Sequence, residues 1–105
     1  MKIVAVTSCP VGAAHTYMAA AALEKAAKKG GHEIKVETQG SLGFKNKLSK
    51  GDVAEASVAI LACGVACLEI ERFAAIPTLD STTKKCIKDS MAVIEEAVAK
   101  AKKGE

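Results

Sequence analysis

Tryptophan is absent from this chain of 105 residues, and Tyr17, Phe44 and Phe73 are its only aromatic side chains. Bases and flavins are commonly held by stacking on such rings, so flavin chemistry and single-stranded nucleic-acid binding have little to work with here. Arginine occurs once, at Arg72. Planar bidentate clamping of a phosphoryl group therefore has one candidate at most. No apolar run approaches the roughly 18–20 residues that cross a bilayer. The opening "MKIVAVTSC" is too short an apolar stretch for a secretory signal and reads as a first strand. Charge of one sign is not dominant either: the net charge is +3, with lysines spread along the chain. That pattern reads as solvated helix surface, or as a patch that steers acidic partners.

Four cysteines are present, Cys9, Cys63, Cys67 and Cys86, but no CxxC pair. The rest of the composition is not that of a small disulfide scaffold, so a cytoplasmic chain with reduced thiols is expected. Cys63 and Cys67 form CxxxC with no histidine nearby in sequence, which gives little support to a zinc site. No metal and no cofactor are expected. Length and composition fit a single domain over residues 1–105.

What is present is an α/β pattern. Ile3 to Val6 and Val58 to Ala62 are continuous apolar runs, as in strands buried on both faces. Ile34 to Thr38 alternates, which suggests a strand with one wet face at an edge. Ile76 to Leu79 contains Pro77 and also belongs at an edge. Helices are expected from about Thr16 to Lys29, ended by Gly30-Gly31, from Ser49 with Asp52 in a capping-box arrangement, and after Asp89 or Ser90. "QGSLGF", Gln39 to Phe44, reads as a turn-rich loop. The expected fold is a three-layer α/β domain: a four-stranded parallel sheet, order 2-1-3-4, with helices on both faces. Its topological switch falls between the first and third strands, where open α/β sheets bind ligands.

The loop leaving the first strand at that switch is "CPVGAAHT". Cys9 is expected to face the start of the following helix, whose N-terminus carries about half a positive charge and unpaired N–H groups. Both favour thiolate over thiol, and both favour a phosphate on that sulfur. Pro10 stiffens the loop, and Gly12 lets backbone approach an anion. Ala13 and Ala14 leave amides unobstructed, so a backbone nest from Val11 to Thr16 is expected. His15 can donate to a phosphate oxygen or hold the thiolate. Thr16 can cap the helix, touch the phosphate, or both.

Three chemistries use such a loop: phosphoryl carriage on Cys9, phosphatase action through the same thiophosphate, and thiol redox work. Phosphatase loops of the Cys-x5-Arg type share the spacing, but the position six after Cys9 is His15. Asp80 is a candidate leaving-group acid for that chemistry, or a cap for the helix after it. A carrier, which must resist water until its acceptor arrives, suits the missing arginine. Redox work needs a resolving cysteine. None is close in sequence, though Cys63 or Cys67 can approach from the same sheet end.

At these residues the chain resembles the fructose-type IIB component of the bacterial sugar phosphotransferase system. "VAVTSCPVGAAHTYMAAAALEKAAKK" is similar to that family's strand, CPxGxAHT loop and helix, and "GHEIKVETQGSLG" to its second strand and following loop. "AILA" and "ERFA" fall at its third strand and a later segment. The resemblance implies a four-stranded parallel sheet and a phosphocysteine at Cys9. It implies phosphate taken from a phosphohistidine IIA protein and passed to a sugar held by a membrane IIC permease, at the inner face of the membrane. The segment "ACGVACLEIERF" departs from the pattern, because family members often carry an acidic residue soon after the third strand. IIA and IIC are expected as separate polypeptides. The alternatives are a non-catalytic module that binds a phosphorylated partner, and a Cys-dependent hydrolase.

Overall fold

The structure is a computed structural model, and it describes residues 1–8, 13–40, 43–63 and 70–103. The chain runs β1 (Lys2–Ser8), α1 (Ala13–Lys29), β2 (Glu33–Gly40), β3 (Gly43–Lys45), α2 (Lys50–Glu55) and β4 (Val58–Cys63). A short 3-10 helix (Ile70–Phe73), β5 (Thr78–Ser81), α3 (Thr83–Lys88) and α4 (Ser90–Lys103) follow.

The two continuous apolar runs are the central strands, as expected. In β1, Ile3, Val4, Ala5, Val6 and Thr7 are all buried, and in β4 Val58, Ala59 and Ile60 are inaccessible. β1 lies between β2 and β4 and pairs parallel with both, Ile3 opposite Ile34 on one side and Val58 on the other. Alternate residues feed two cores. Ile3, Ala5, Val58 and Ile60 pack with Ala19, Leu23, Val93 and Ile94 from α1 and α4. Val4, Val6 and Ala59 pack with Val53 of α2, with Leu48 and with Phe73. Helices thus cover both faces of the sheet.

The strand count and order need correction. Among the described residues the sheet has five strands in order β3-β2-β1-β4-β5, not four in order 2-1-3-4. The extra strand is antiparallel, with Gly40 opposite Gly43 and Gln39 opposite Phe44, so the sheet is mixed. It comes from the stretch read as a turn-rich loop: three residues are too few to display a period of two. β3 also takes the edge that the alternating strand was expected to hold. Glu37, assigned to a wet face by alternation, has no accessible surface. β5 is an edge strand, as its proline suggested, but it starts after Pro77. Pro77 contributes its carbonyl, which accepts from the Ala59 N–H at 2.9 Å.

Helix ends follow local chemistry. At the end of α1, the His32 N–H donates to the Ala27 carbonyl and the Gly31 N–H to that of Lys28, while Gly31 takes a φ of 77°. This is the Schellman arrangement, and the left-handed residue favours glycine there. Ser49 caps α2, accepting from the Asp52 N–H at 3.1 Å while Asp52 accepts from the Ser49 N–H at 2.9 Å. The final helical region is two helices. Thr82 caps α3, accepting from the Lys85 N–H, and Asp89 ends it before α4 begins. Asp80, a candidate cap for that helix, lies within β5 instead.

Candidate functional site

β1 and α1 meet at the carboxyl edge of the sheet. Ser8, the last residue of β1, lies opposite Gln39 of β2 and Cys63 of β4. The chain leaves β2 and β4 on opposite sides of β1, so this end of β1 is the topological switch of the sheet. Cys9, Pro10, Val11 and Gly12, which join Ser8 to α1, lie outside the described residues, as do Leu42 and Cys67. The structure fixes the two ends of the loop that those four residues bridge.

The second half of the CPVGAAHT stretch is helix. Ala13, Ala14, His15 and Thr16 form the first turn of α1, three residues ahead of the expected start. Alanine is the strongest helix former, so the helix extends back to the alanines. Thr16 is therefore not the N-cap. It is 1% exposed, and its hydroxyl oxygen is buried without a hydrogen-bond partner. Its carbonyl accepts from the Thr7 hydroxyl at 3.2 Å, which fastens the first turn of α1 to the end of β1. No acidic residue stands in that first turn. The positive end of a 17-residue helix is thus unneutralised by its own side chains, at the switch point.

Two flanks border this point. On the β3 side, Lys45 Nζ lies 4.9 Å from the centre of the Tyr17 ring, and Lys47 Nζ lies 4.7 Å from that of Phe44. Tyr17 is 42% exposed and carries a cation on its face. On the α3 side, His15 and Met18 of α1 face Thr83, Lys84, Ile87 and Lys88 of α3 across a groove of about 530 Å³. His15 thus joins the loop to this groove.

Behind the site lies a buried polar cluster that sequence reasoning missed. Glu37 takes two bonds from Arg72, at 2.8 Å from Nη1 and 2.5 Å from Nη2, one from Gln39 Nε2 at 2.9 Å and one from the Leu48 N–H at 2.9 Å. Burial pushes the Glu37 carboxyl up, but these donors outweigh it and hold the group below its ordinary value of 4.5. The lone arginine was the available signal: a fork needs a carboxylate, and Glu37 sits next to the β2 end. Because both Nη groups are committed to Glu37, Arg72 is not a phosphoryl clamp in this arrangement.

The thiols are not all reduced. Cys63 is disulfide-bonded. The expectation of reduced thiols therefore does not hold at Cys63. Its side chain packs with Leu61 and Ile76 in the α2-side core. Cys86 is a free, inaccessible thiol in the α1-side core. Among the described residues no group of three His, Cys, Asp or Glu side chains is placed to hold a metal ion. Nor is any helix there long and apolar enough to cross a membrane.

Comparison with known proteins supplies the remaining constraint. Residues 4–96 match the family model described as the lactose/cellobiose-specific IIB subunit of the phosphotransferase system. The fructose-like EIIB component 2 of Escherichia coli K12 is 47% identical over 93% of this chain and 92% of its own length. The fructose-like EIIB component 1 of the same strain is 42% identical over 90% and 88%. A crystallised domain of the fructose-specific IIABC component of Borrelia burgdorferi is 45% identical, covers 93% of each chain and superposes with a TM-score of 0.88. The alternatives of a hydrolase and a non-catalytic module gain no such support. The chain belongs to the IIB family of the sugar phosphotransferase system and is a phosphotransferase, a phosphoryl carrier in sugar transport.

Proposed function

We propose that Cys9 is the residue that carries the phosphoryl group. The thiolate attacks a phosphohistidine on a IIA protein: an S–P bond forms as the N–P bond breaks, and the imidazole nitrogen keeps the bonding pair. A hydroxyl of a sugar held by a membrane IIC permease then attacks the same phosphorus. The O–P bond forms, the S–P bond breaks, the thiolate is regenerated, and the hydroxyl proton passes to a base on the acceptor side. In-line transfer of this kind needs positioning and charge stabilisation rather than further covalent chemistry. The carrier acts in the cytoplasm at the inner face of the membrane, where IIC presents its sugar.

The observation that supports this most is the placement of the loop's two ends. They meet at the switch point of the sheet, where an unneutralised helix N-terminus follows the cysteine by four residues. Pro10, Val11, Gly12 and the first turn of α1, Ala13, Ala14, His15 and Thr16, form the phosphate cradle. The unpartnered Thr16 hydroxyl is a spare donor within it. The sugar is fructose or a close relative, on the strength of the fructose-like names of the relatives.

The test is label transfer from a fructose-type IIA protein charged with radioactive phosphate on histidine. Stable label on wild type and none on Cys9→Ser, with matching circular dichroism for the two, is the expected result. Transfer retained by Cys9→Ser removes the assignment. Rapid release of free phosphate from wild type turns the reading to a hydrolase.

A further inference from the structure

The groove between α1 and α3 begins at the site itself. His15 lies at its α1 wall, Met18 and Ile87 give it an apolar lining, and Lys84 and Lys88 stand on its α3 wall. Met18 is 52% exposed, the most exposed large hydrophobic side chain among the described residues. Neither Lys84 nor Lys88 makes an ion pair among the described residues, whereas their neighbour Lys85 is held by Glu96 at 3.1 Å. The lysines of the opposite flank, Lys45 and Lys47, already lie over aromatic rings. Uncommitted positive charge beside exposed apolar surface is thus concentrated on the α3 side.

A protein that places a phosphohistidine on Cys9 must cover the surface around the loop. A specific interface takes about 800 Å² from each partner, far more than the loop alone offers. Apolar side chains at its centre and complementary charge at its rim are the usual composition. The donor arrives with the dianionic phosphoryl group, by diffusion, so unpaired lysines accelerate its encounter. The acceptor presents a neutral sugar, which gains nothing from them. We propose that the α1–α3 groove is the docking surface for the phosphorylated IIA donor, whose matching face carries carboxylates around an apolar contact. Lys84 and Lys88 steer it, and Met18 and Ile87 seat it. This inference rests on the carrier reading above.

The test compares two double variants with the same change in net charge. Lys84→Glu/Lys88→Glu alters the groove. Lys102→Glu/Lys103→Glu alters the far end of α4, where Lys102 neighbours Gly30 and His32 at the other end of α1. The probe is a fructose-type IIA protein charged with radioactive phosphate on histidine. Circular dichroism and the rate of Cys9 alkylation by iodoacetamide report whether fold and thiol are intact.

The groove variant is expected to lose about 10- to 100-fold in kcat/KM for label uptake, mostly through KM, at low ionic strength. The wild-type rate should fall with added salt and that of the groove variant should not. The α4 variant should stay within a few-fold of wild type. Equal rates for the two variants overturn the docking surface and leave the carrier reading standing. Normal uptake by the groove variant with failed delivery to sugar in IIC-containing vesicles gives the groove to the membrane partner and overturns the donor assignment. A wild-type protein that takes no label brings down the carrier reading first, and the docking surface with it.

Discussion

Glu37 has no accessible surface and Arg72 only 18% of its side chain's, yet neither is near an apolar role. The pair ties β2 to the 3-10 helix that follows β4, and through the Leu48 N–H to the segment before α2. Its stability consequence is fixed by sign. The Glu37 carboxyl is held below its ordinary value, so the folded state binds that proton more weakly than the unfolded chain. The contribution is fully present above the unfolded value of 4.5 and is lost as pH falls through the folded one. Glu37→Gln leaves the guanidinium largely buried without its counter-charge, and costs about 3 kcal/mol at pH 7. Urea unfolding of wild type and variant measured from pH 7 to pH 3 checks both points: the gap between them should narrow towards acid. A gap under about 0.5 kcal/mol at pH 7, or one that widens, removes the pair from the stability account. Alternation along Ile34 to Thr38 misled here, because it assigns a face and cannot announce a partner from a residue 35 positions away. The proposal for the loop rests on the opposite kind of signal. Cysteine, proline, glycine, histidine and threonine in one short stretch each have a local physical meaning, and the meanings agree.

The cap of α2 was readable, because its chemistry is confined to four residues. Ser49 and Asp52 exchange both bonds as their spacing suggested, and Lys35 of β2 adds a bond to the same carboxylate at 2.7 Å. The Lys35 ammonium first, and then the Ser49 N–H, hold the Asp52 carboxyl down from 3.8 to about 2. Ser49→Ala removes the hydroxyl acceptor and costs about 1 kcal/mol in urea unfolding. In the same variant the Asp52 titration, followed by carboxyl-carbon NMR, should move up only part of the way, since Lys35 remains. Full return to the ordinary value would mean that the cap, not Lys35, holds the charge. The start of α1 was less legible. α1 begins at Ala13 because alanine extends a helix wherever the backbone permits, and nothing between Ala13 and Thr16 says stop. β3 was illegible for want of length; the start of α4 at Ser90 was read from Asp89 or Ser90, whereas the six-residue α3 before it was not.

At the scale of the molecule, the order of the four parallel strands followed from which runs were apolar throughout. The switch point followed from that order. What the order could not supply was the hairpin added at the β2 edge. Nor could it show that α3 is a separate short helix standing between the core and the proposed donor surface. That helix offers a way to ask whether the docking flank unfolds with the rest. Cys86 lies on α3 with no accessible surface, packed in the core that α1 and α4 share. Burial pushes its thiol above the ordinary value of 9.0, although a contact with the Ser81 hydroxyl and the charge of Lys85 pull the other way. Alkylation of Cys86 therefore needs an opening event, and its rate reports the free energy of the smallest one. If α3 opens only with the whole domain, labelling at pH 8, located by peptide mass, runs at least about 1,000-fold slower than for an exposed thiol. It should then rise with urea at the slope of global unfolding. A rate within tenfold of an exposed thiol, insensitive to dilute urea, would show α3 detaching alone. The donor surface would then be an element that orders on contact rather than one built in advance.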